Sequence, residues 1–180
     1  MAKCNIAEAI PDELLLDIKR DIAELKPASL LIIAIPSINI EPIFQTSDTT
    51  TIKSIDDLSH YLNNAPVNRK FDLAIAILTA ENIKDDRYMH LISKLRDTDS
   101  ARVYLACRVN TEIAGEIIDK HYDTCLRGLG FKLLRIYQLQ PSDKMQVCLY
   151  YYDIYDYKEV PDWLNDRFWA NPDMWDKARW

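Results

Sequence analysis

The chain has 180 residues, 48% hydrophobic and 28% charged, a globular balance with enough apolar material for one core. Its formal charge of −6 and isoelectric point near 5.1 oppose a grip on phosphate backbones, which disfavours nucleic acid as a partner. No apolar run reaches the roughly 20 residues of a membrane-spanning helix. Residues 1–11 also lack the basic start and apolar stretch of a secretion signal. The scattered Cys4, Cys107, Cys125 and Cys148 show no CxxC spacing, so reduced thiols in a cytoplasmic protein are expected.

The first helix is expected to open at Pro11, with Asp12 and Glu13 facing the positive end of its dipole. Leu14, Leu15, Ile18, Ile22 and Leu25 recur at helical spacing, and Pro27 closes it. Residues 29–35 (SLLIIAI) read as a strand apolar on both faces, as a parallel sheet requires. After an irregular stretch comes a short strand over 49–53. Ser54 then caps a helix with Asp56 and Asp57 in its first turn and Ile55, Leu58 and Leu62 inward.

A second buried strand spans 71–78, followed by an amphipathic helix over 85–96 with Tyr88, Leu91, Ile92 and Leu95 on one face. The third strand covers 101–107. A helix over 111–127 places Ile113, Ile117, Ile118, Tyr122 and Cys125 inward and ends at Gly128-Leu-Gly130. Residues 131–139 and 145–153 are two strands at hairpin spacing. Val160-Pro161-Asp162 and Asn171-Pro172-Asp173 begin two further helices in the tail. Strands alternating with helices predict an α/β three-layer sandwich: a mostly parallel sheet with a C-terminal antiparallel hairpin. Residues 1–160 are expected to form one domain, with 161–180 as an aromatic helical tail.

Glycine is scarce, with three in the chain, Gly115, Gly128 and Gly130, against about 7% in average usage. A backbone that wraps closely around a cofactor normally needs glycine at the contact.

The segments FDLAIAIL (71–78) and ARVYLACRV (101–109) resemble the fourth and fifth strands of class I S-adenosylmethionine-dependent methyltransferases. CLRGLGFKLLRIYQL (125–139), followed by MQVCLYYYDIYDY (145–157), resembles their last helix and terminal antiparallel strand pair. The resemblance spans roughly residues 71–157 and implies a Rossmann-like, methyltransferase-like fold. In that family the first strand runs into a glycine-rich loop that holds the cofactor, but LLIIAIPSINIEP (30–42) contains no glycine. The interval from Pro36 to Phe71 is too short for all the strands and helices the family places there. The cofactor loop is therefore degenerate, and S-adenosylmethionine is possible but disfavoured. The chain is also similar to small uncharacterised bacterial proteins with a tryptophan-rich end.

Ligands of open α/β sheets bind beyond the carboxyl ends of the strands. Those positions are Ser37 and Asn39; Thr79, Glu81 and Asn82; and Arg108, Asn110 and Thr111. Glu81 and Asn82 are the catalytic candidates, with Glu81 as a general base; Ser37, Asn39 and Thr79 are the cofactor-binding candidates, and Arg108 could hold an anion. The plainer reading is that these are solvated loop residues capping the next helices. His121 and Cys125 share metal-compatible spacing but lack a second pair, so no metal site is expected. Asp97 and Asp99 resemble an acidic metal pair, yet aspartates are common in turns before strands.

Alternation over the last strand puts Tyr151, Asp153 and Tyr155 on one face and Tyr150, Tyr152 and Ile154 on the other. All four tryptophans, Trp163, Trp169, Trp175 and Trp180, fall in the last 18 residues beside Phe168 and Met174. Such residues favour the centres of interfaces. They are expected to dock on the chain's own domain or to meet a protein partner or a second copy. The reading is a non-catalytic methyltransferase-like domain acting through protein contacts, with a divergent methyltransferase of unknown substrate as the alternative.

Overall fold

The computed structural model describes residues 10–34, 48–64, 71–79, 86–110, 120–139 and 145–156. Six strands form one sheet: β1 (Ser29–Ala34), β2 (Asp48–Ile52), β3 (Phe71–Thr79), β4 (Ser100–Asn110), β5 (Lys132–Gln138) and β6 (Met145–Asp153). Among the described residues four α-helices accompany them: α1 (Asp12–Leu25), α2 (Ile55–Asn64), α3 (Asp86–Lys94) and α4 (Lys120–Gly128).

The strand order is β2-β1-β3-β4-β6-β5. β2, β1, β3 and β4 run parallel, whereas β6 is antiparallel to both β4 and β5. This is the mostly parallel sheet with a terminal antiparallel pair that the methyltransferase-like pattern implies. The short segment at Asp48–Ile52 is the edge strand beyond β1, with its first three residues exposed.

Alternation sorts the strand side chains onto two faces. Leu30, Ile32, Leu73, Ile75, Tyr104, Val147 and Leu149 pack against Leu14 and Ile18 of α1. Leu31, Ile33, Ala74, Leu105, Cys107, Cys148 and Tyr150 pack with Leu58 of α2, Tyr88 and Leu91 of α3, and Leu126 of α4. Two helical layers thus enclose the sheet, and β1 is apolar on both faces because both are covered.

Local chemistry sets several element ends. Pro11 is extended, with φ −60° and ψ 131°, so it precedes α1 as the capping residue instead of occupying its first turn. α1 ends at Lys26 in the left-handed region (φ 46°), whose N–H donates to the Ile22 carbonyl over 2.9 Å. Ser54 Oγ accepts from the Asp57 N–H at 3.0 Å at the start of α2, as expected of a cap. The helix expected over 85–96 stops at Lys94 and widens into one π-helical turn, Leu95–Asp99.

β4 extends beyond the expected 101–107 at both ends. On α4 it is Leu126 that is buried, and Cys125 is only half-buried. The expected helix over 111–127 is described from Lys120 onward. Gly130, at φ 87°, turns the chain into β5, a conformation open to glycine at little cost. β6 ends at Asp153, so Ile154 and Tyr155 belong to a following turn and not to the strand. Tyr150 and Tyr152 share one core while Tyr151 packs against the other, as alternation requires.

Candidate functional site

The two ends of the sheet differ chemically. At the amino ends of the parallel strands, the polar groups are tied to one another. The Asp72 carboxylate accepts the N–H groups of Ala28 (2.8 Å) and Ser29 (3.2 Å), and Ser29 Oγ accepts the Asp72 N–H at 2.9 Å. Ser100, fully buried, donates to the Arg102 carbonyl at 2.7 Å. Asp99, 2% exposed, accepts from Tyr61 Oη (2.5 Å), Lys94 Nζ (3.0 Å) and Thr98 Oγ1 (2.9 Å). The residue read as half of an acidic pair is therefore the hub of a closed network. Asp97 lies beside Arg96 instead, and no metal-binding group of three occurs among the described residues.

A second network crosses from the sheet to α1. Tyr104 Oη donates to Asp21 (2.7 Å), and Tyr137 Oη and Arg135 both reach Asp17 (2.7 and 2.5 Å). The rings of Tyr104 and Tyr151 lie 4.7 Å apart. Tyr151 Oη and Arg102 Nε donate to Asp153 over 3.0 and 2.8 Å. Burial pushes the Asp153 carboxyl up, but donations from the Tyr155 N–H, Arg102 and Tyr151 outweigh it and hold the group below its ordinary value. Burial is also the main cause that raises Tyr104, with Asp21 adding to it.

At the carboxyl ends the picture is more open. β1 lies between β2 and β3, so the chain winds first to one side of β1 and then to the other. This is the topological switch point, where open α/β sheets take their ligands. Ala34 there pairs with Ile77, Thr79 with Arg108, and Arg108 with Val147. Thr79 and the half-buried Arg108 are thus brought side by side at this rim.

The other candidates, Ser37, Asn39, Glu81, Asn82 and Thr111, lie outside the described residues, as do Trp163, Phe168, Trp169, Trp175 and Trp180. Asn110 ends β4 opposite Met145. Gln146, which sequence reasoning did not single out, stands opposite Val109 at the same rim. Its carboxamide oxygen is buried without a hydrogen-bond partner among the described residues. A polar residue at a strand end next to a buried alternation was the signal that could have marked it.

The residues present can be tested against the cofactor that the resemblance implies. Gly128 is the last residue of α4, and Gly130 follows it just before β5. Because β5 runs parallel to β1, they sit at the amino ends, opposite the switch point. The 35–47 stretch leaving β1 has no glycine. The set does not fit a cofactor held by close backbone approach at that point.

Comparison with solved structures finds similar chains. The methyltransferase domain of bacterial CtHen1-CN is 14% identical, with 76% of this chain and 96% of that one covered and a TM-score of 0.47. Magnesium protoporphyrin IX methyltransferase (ChlM) from Synechocystis PCC 6803 is 13% identical, with 84% of each chain covered and a TM-score of 0.46. Phosphoethanolamine N-methyltransferase 2 of Haemonchus contortus is 14% identical, with a TM-score of 0.45; the match spans 84% of this chain but 42% of that one. No curated protein matches the sequence. Residues 11–180 match a family of unknown function, DUF6231, and the chain belongs to that family.

Proposed function

We propose that this chain is a non-catalytic domain of methyltransferase-like fold that works through protein contacts made by its aromatic C-terminal segment. The observation that carries the reading is the glycine-free stretch leaving β1 at the switch point, with both described glycines at the opposite end of the sheet. A chain that keeps the fold without the means of close cofactor approach retains a scaffold. What it adds to that scaffold is four tryptophans within 18 residues. Tryptophan carries large buried area at low entropic cost and dominates interface energetics.

The test is a photo-reactive phenylalanine analogue placed at Trp169 or Trp175 and activated in cells. One discrete intermolecular adduct, with another protein or with a second copy of this 21.0 kDa chain, is expected. Links confined to the chain's own sheet would contradict the reading.

One observation favours a second reading, a divergent S-adenosylmethionine-dependent methyltransferase. The winding reverses at β1; Thr79 ends β3, and Ser37, Asn39, Glu81 and Asn82 follow the carboxyl ends of β1 and β3 in the sequence.

A further inference from the structure

Three of the four cysteines fall in the last three elements of the sheet and their helix, and two of them face each other. Cys107 on β4 and Cys148 on β6 are direct partners in the antiparallel register. Both belong to the core cluster on the α2–α3–α4 side, so their side chains leave the sheet on the same face. Directly opposed residues of an antiparallel pair stand about 4.5 or 5.5 Å apart at Cα, depending on which kind of pair they form. Both values lie within the range of about 4.4–6.8 Å that a disulfide spans. Both residues are free thiols, 2% and 0% exposed.

We infer that Cys107 and Cys148 form a buried cross-strand dithiol, a modification site at which a peroxide oxidant converts the pair to a disulfide tying β6 to β4. One thiolate attacks the peroxide oxygen, giving a sulfenic acid and releasing one water once the hydroxide is protonated. The second thiolate then attacks that sulfur and expels hydroxide, which leaves as the second water. Two thiols lose two protons and two electrons, and one hydrogen peroxide becomes two waters.

The surroundings set the conditions for this step. At this level the sheet presents Leu78, Cys107, Cys148 and Ile136 on four neighbouring strands. Leu126 of α4 belongs to the same cluster, and Asp123 of α4 accepts from Tyr150 Oη at 3.1 Å. Burial, with Asp123 adding to it, pushes the Cys148 thiol up to about 11, and burial raises Cys107 well above its ordinary value. The closed fold thus keeps the pair protonated, and reaction proceeds through openings of the β5–β6 hairpin. Once made, the bond closes a loop that contains α4 and β5, so the hairpin no longer leaves β4.

The full chain treated with hydrogen peroxide and digested without reductant provides the test. One linked peptide pair joining Cys107 to Cys148 is expected, with a loss of two hydrogen atoms and full recovery by dithiothreitol. Amide exchange in β6 should slow about tenfold or more, because the openings that separate it from β4 are removed. The same treatment in denaturing urea should scatter the pairings among Cys4, Cys107, Cys125 and Cys148. The inference is overturned if Cys107 and Cys148 remain thiols after Cys125 is fully oxidised. It is equally overturned if Cys125 links to either of them, or if native and denatured chains give the same pairings. Wild-type protein suffices for this reading, and Cys148→Ala should lose the linked pair while Cys125 oxidises as before.

Discussion

Asp99 illustrates how much a single buried group can organise. Its carboxylate takes three donors from three segments, Tyr61 on α2, Lys94 at the end of α3, and Thr98 in the π-helical turn. The Lys94 side chain is itself only 11% exposed, so removing Asp99 strands a partly buried ammonium and a phenol together. Asp99→Ala is expected to cost about 3 kcal/mol in urea unfolding. Adding Lys94→Met should recover part of that loss, because it removes the stranded charge. A change below about 0.5 kcal/mol would show that the network is idle.

The tyrosines give a pH signature of their own. Tyr61, Tyr104, Tyr137, Tyr150 and Tyr151 are all raised above the ordinary value of 10.0, by burial first and by neighbouring carboxylates or thiols after it. A phenol whose folded value is raised keeps its proton longer when folded. Its contribution is therefore complete below about pH 10 and is lost as pH climbs toward the folded values. The urea midpoint should fall between pH 9 and about 11, and phenolate absorbance from these residues should appear together with unfolding. Free titration of all ten tyrosines in the folded chain would contradict it. Alternation already put Tyr151 and Asp153 on one face of the last strand, but the long-range partnerships were not legible in the sequence, since Tyr104 and Asp21 lie 83 residues apart. Local pattern says which residue is buried but not which distant group satisfies it.

At the scale of elements, periodicity carries most of the information. α1 shows this well: Leu14 and Ile18 are fully buried against the sheet, whereas Leu16 is 64% exposed. Ile18→Ala should cost about 3 kcal/mol through the cavity it leaves, while Leu16→Ala should change stability by less than about 0.5 kcal/mol. Equal costs would mean that α1 does not dock as described.

The strands were legible for the same reason, since apolar runs such as 30–34 and 73–78 are buried on both faces and leave no ambiguity of length. Element ends were less legible. Pro11, read as a first-turn proline, is an extended cap. The last strand ends at Asp153 as its spacing predicted, but the alternation read onward to Ile154 and Tyr155 fails, because a turn begins there. There the Tyr155 N–H donates to Asp153 Oδ1 at 2.8 Å, a local bond that ends the ladder. The π-helical turn at Leu95–Asp99 has no sequence signature comparable to a cap.

For the whole molecule, the hairpin was the informative feature. A series of parallel strands that ends in an antiparallel pair defines the order β2-β1-β3-β4-β6-β5, and the sequence showed that pair through its spacing. The site was less legible, because a ligand site at strand carboxyl ends depends on loops whose conformation no period specifies. Of its candidates, Thr79, Arg108 and Asn110 are the ones whose positions are fixed by pairing.

The membership in DUF6231 gives the fold a family without giving it an activity. The central contrast in this fold is between a switch point that invites a ligand and a chain without glycine where it leaves β1.

Calorimetric titration of the full chain with S-adenosylmethionine and S-adenosylhomocysteine probes that contrast most directly. A functional site with a Kd of about 10 μM would correspond to roughly −7 kcal/mol and would stabilise the fold by about 2.7 kcal/mol at a hundredfold excess over Kd. No saturable heat and no shift of the melting midpoint is expected with either ligand. Saturable one-to-one binding, weakened by Glu81→Ala or Asn82→Ala, would contradict the scaffold reading and favour the divergent methyltransferase instead.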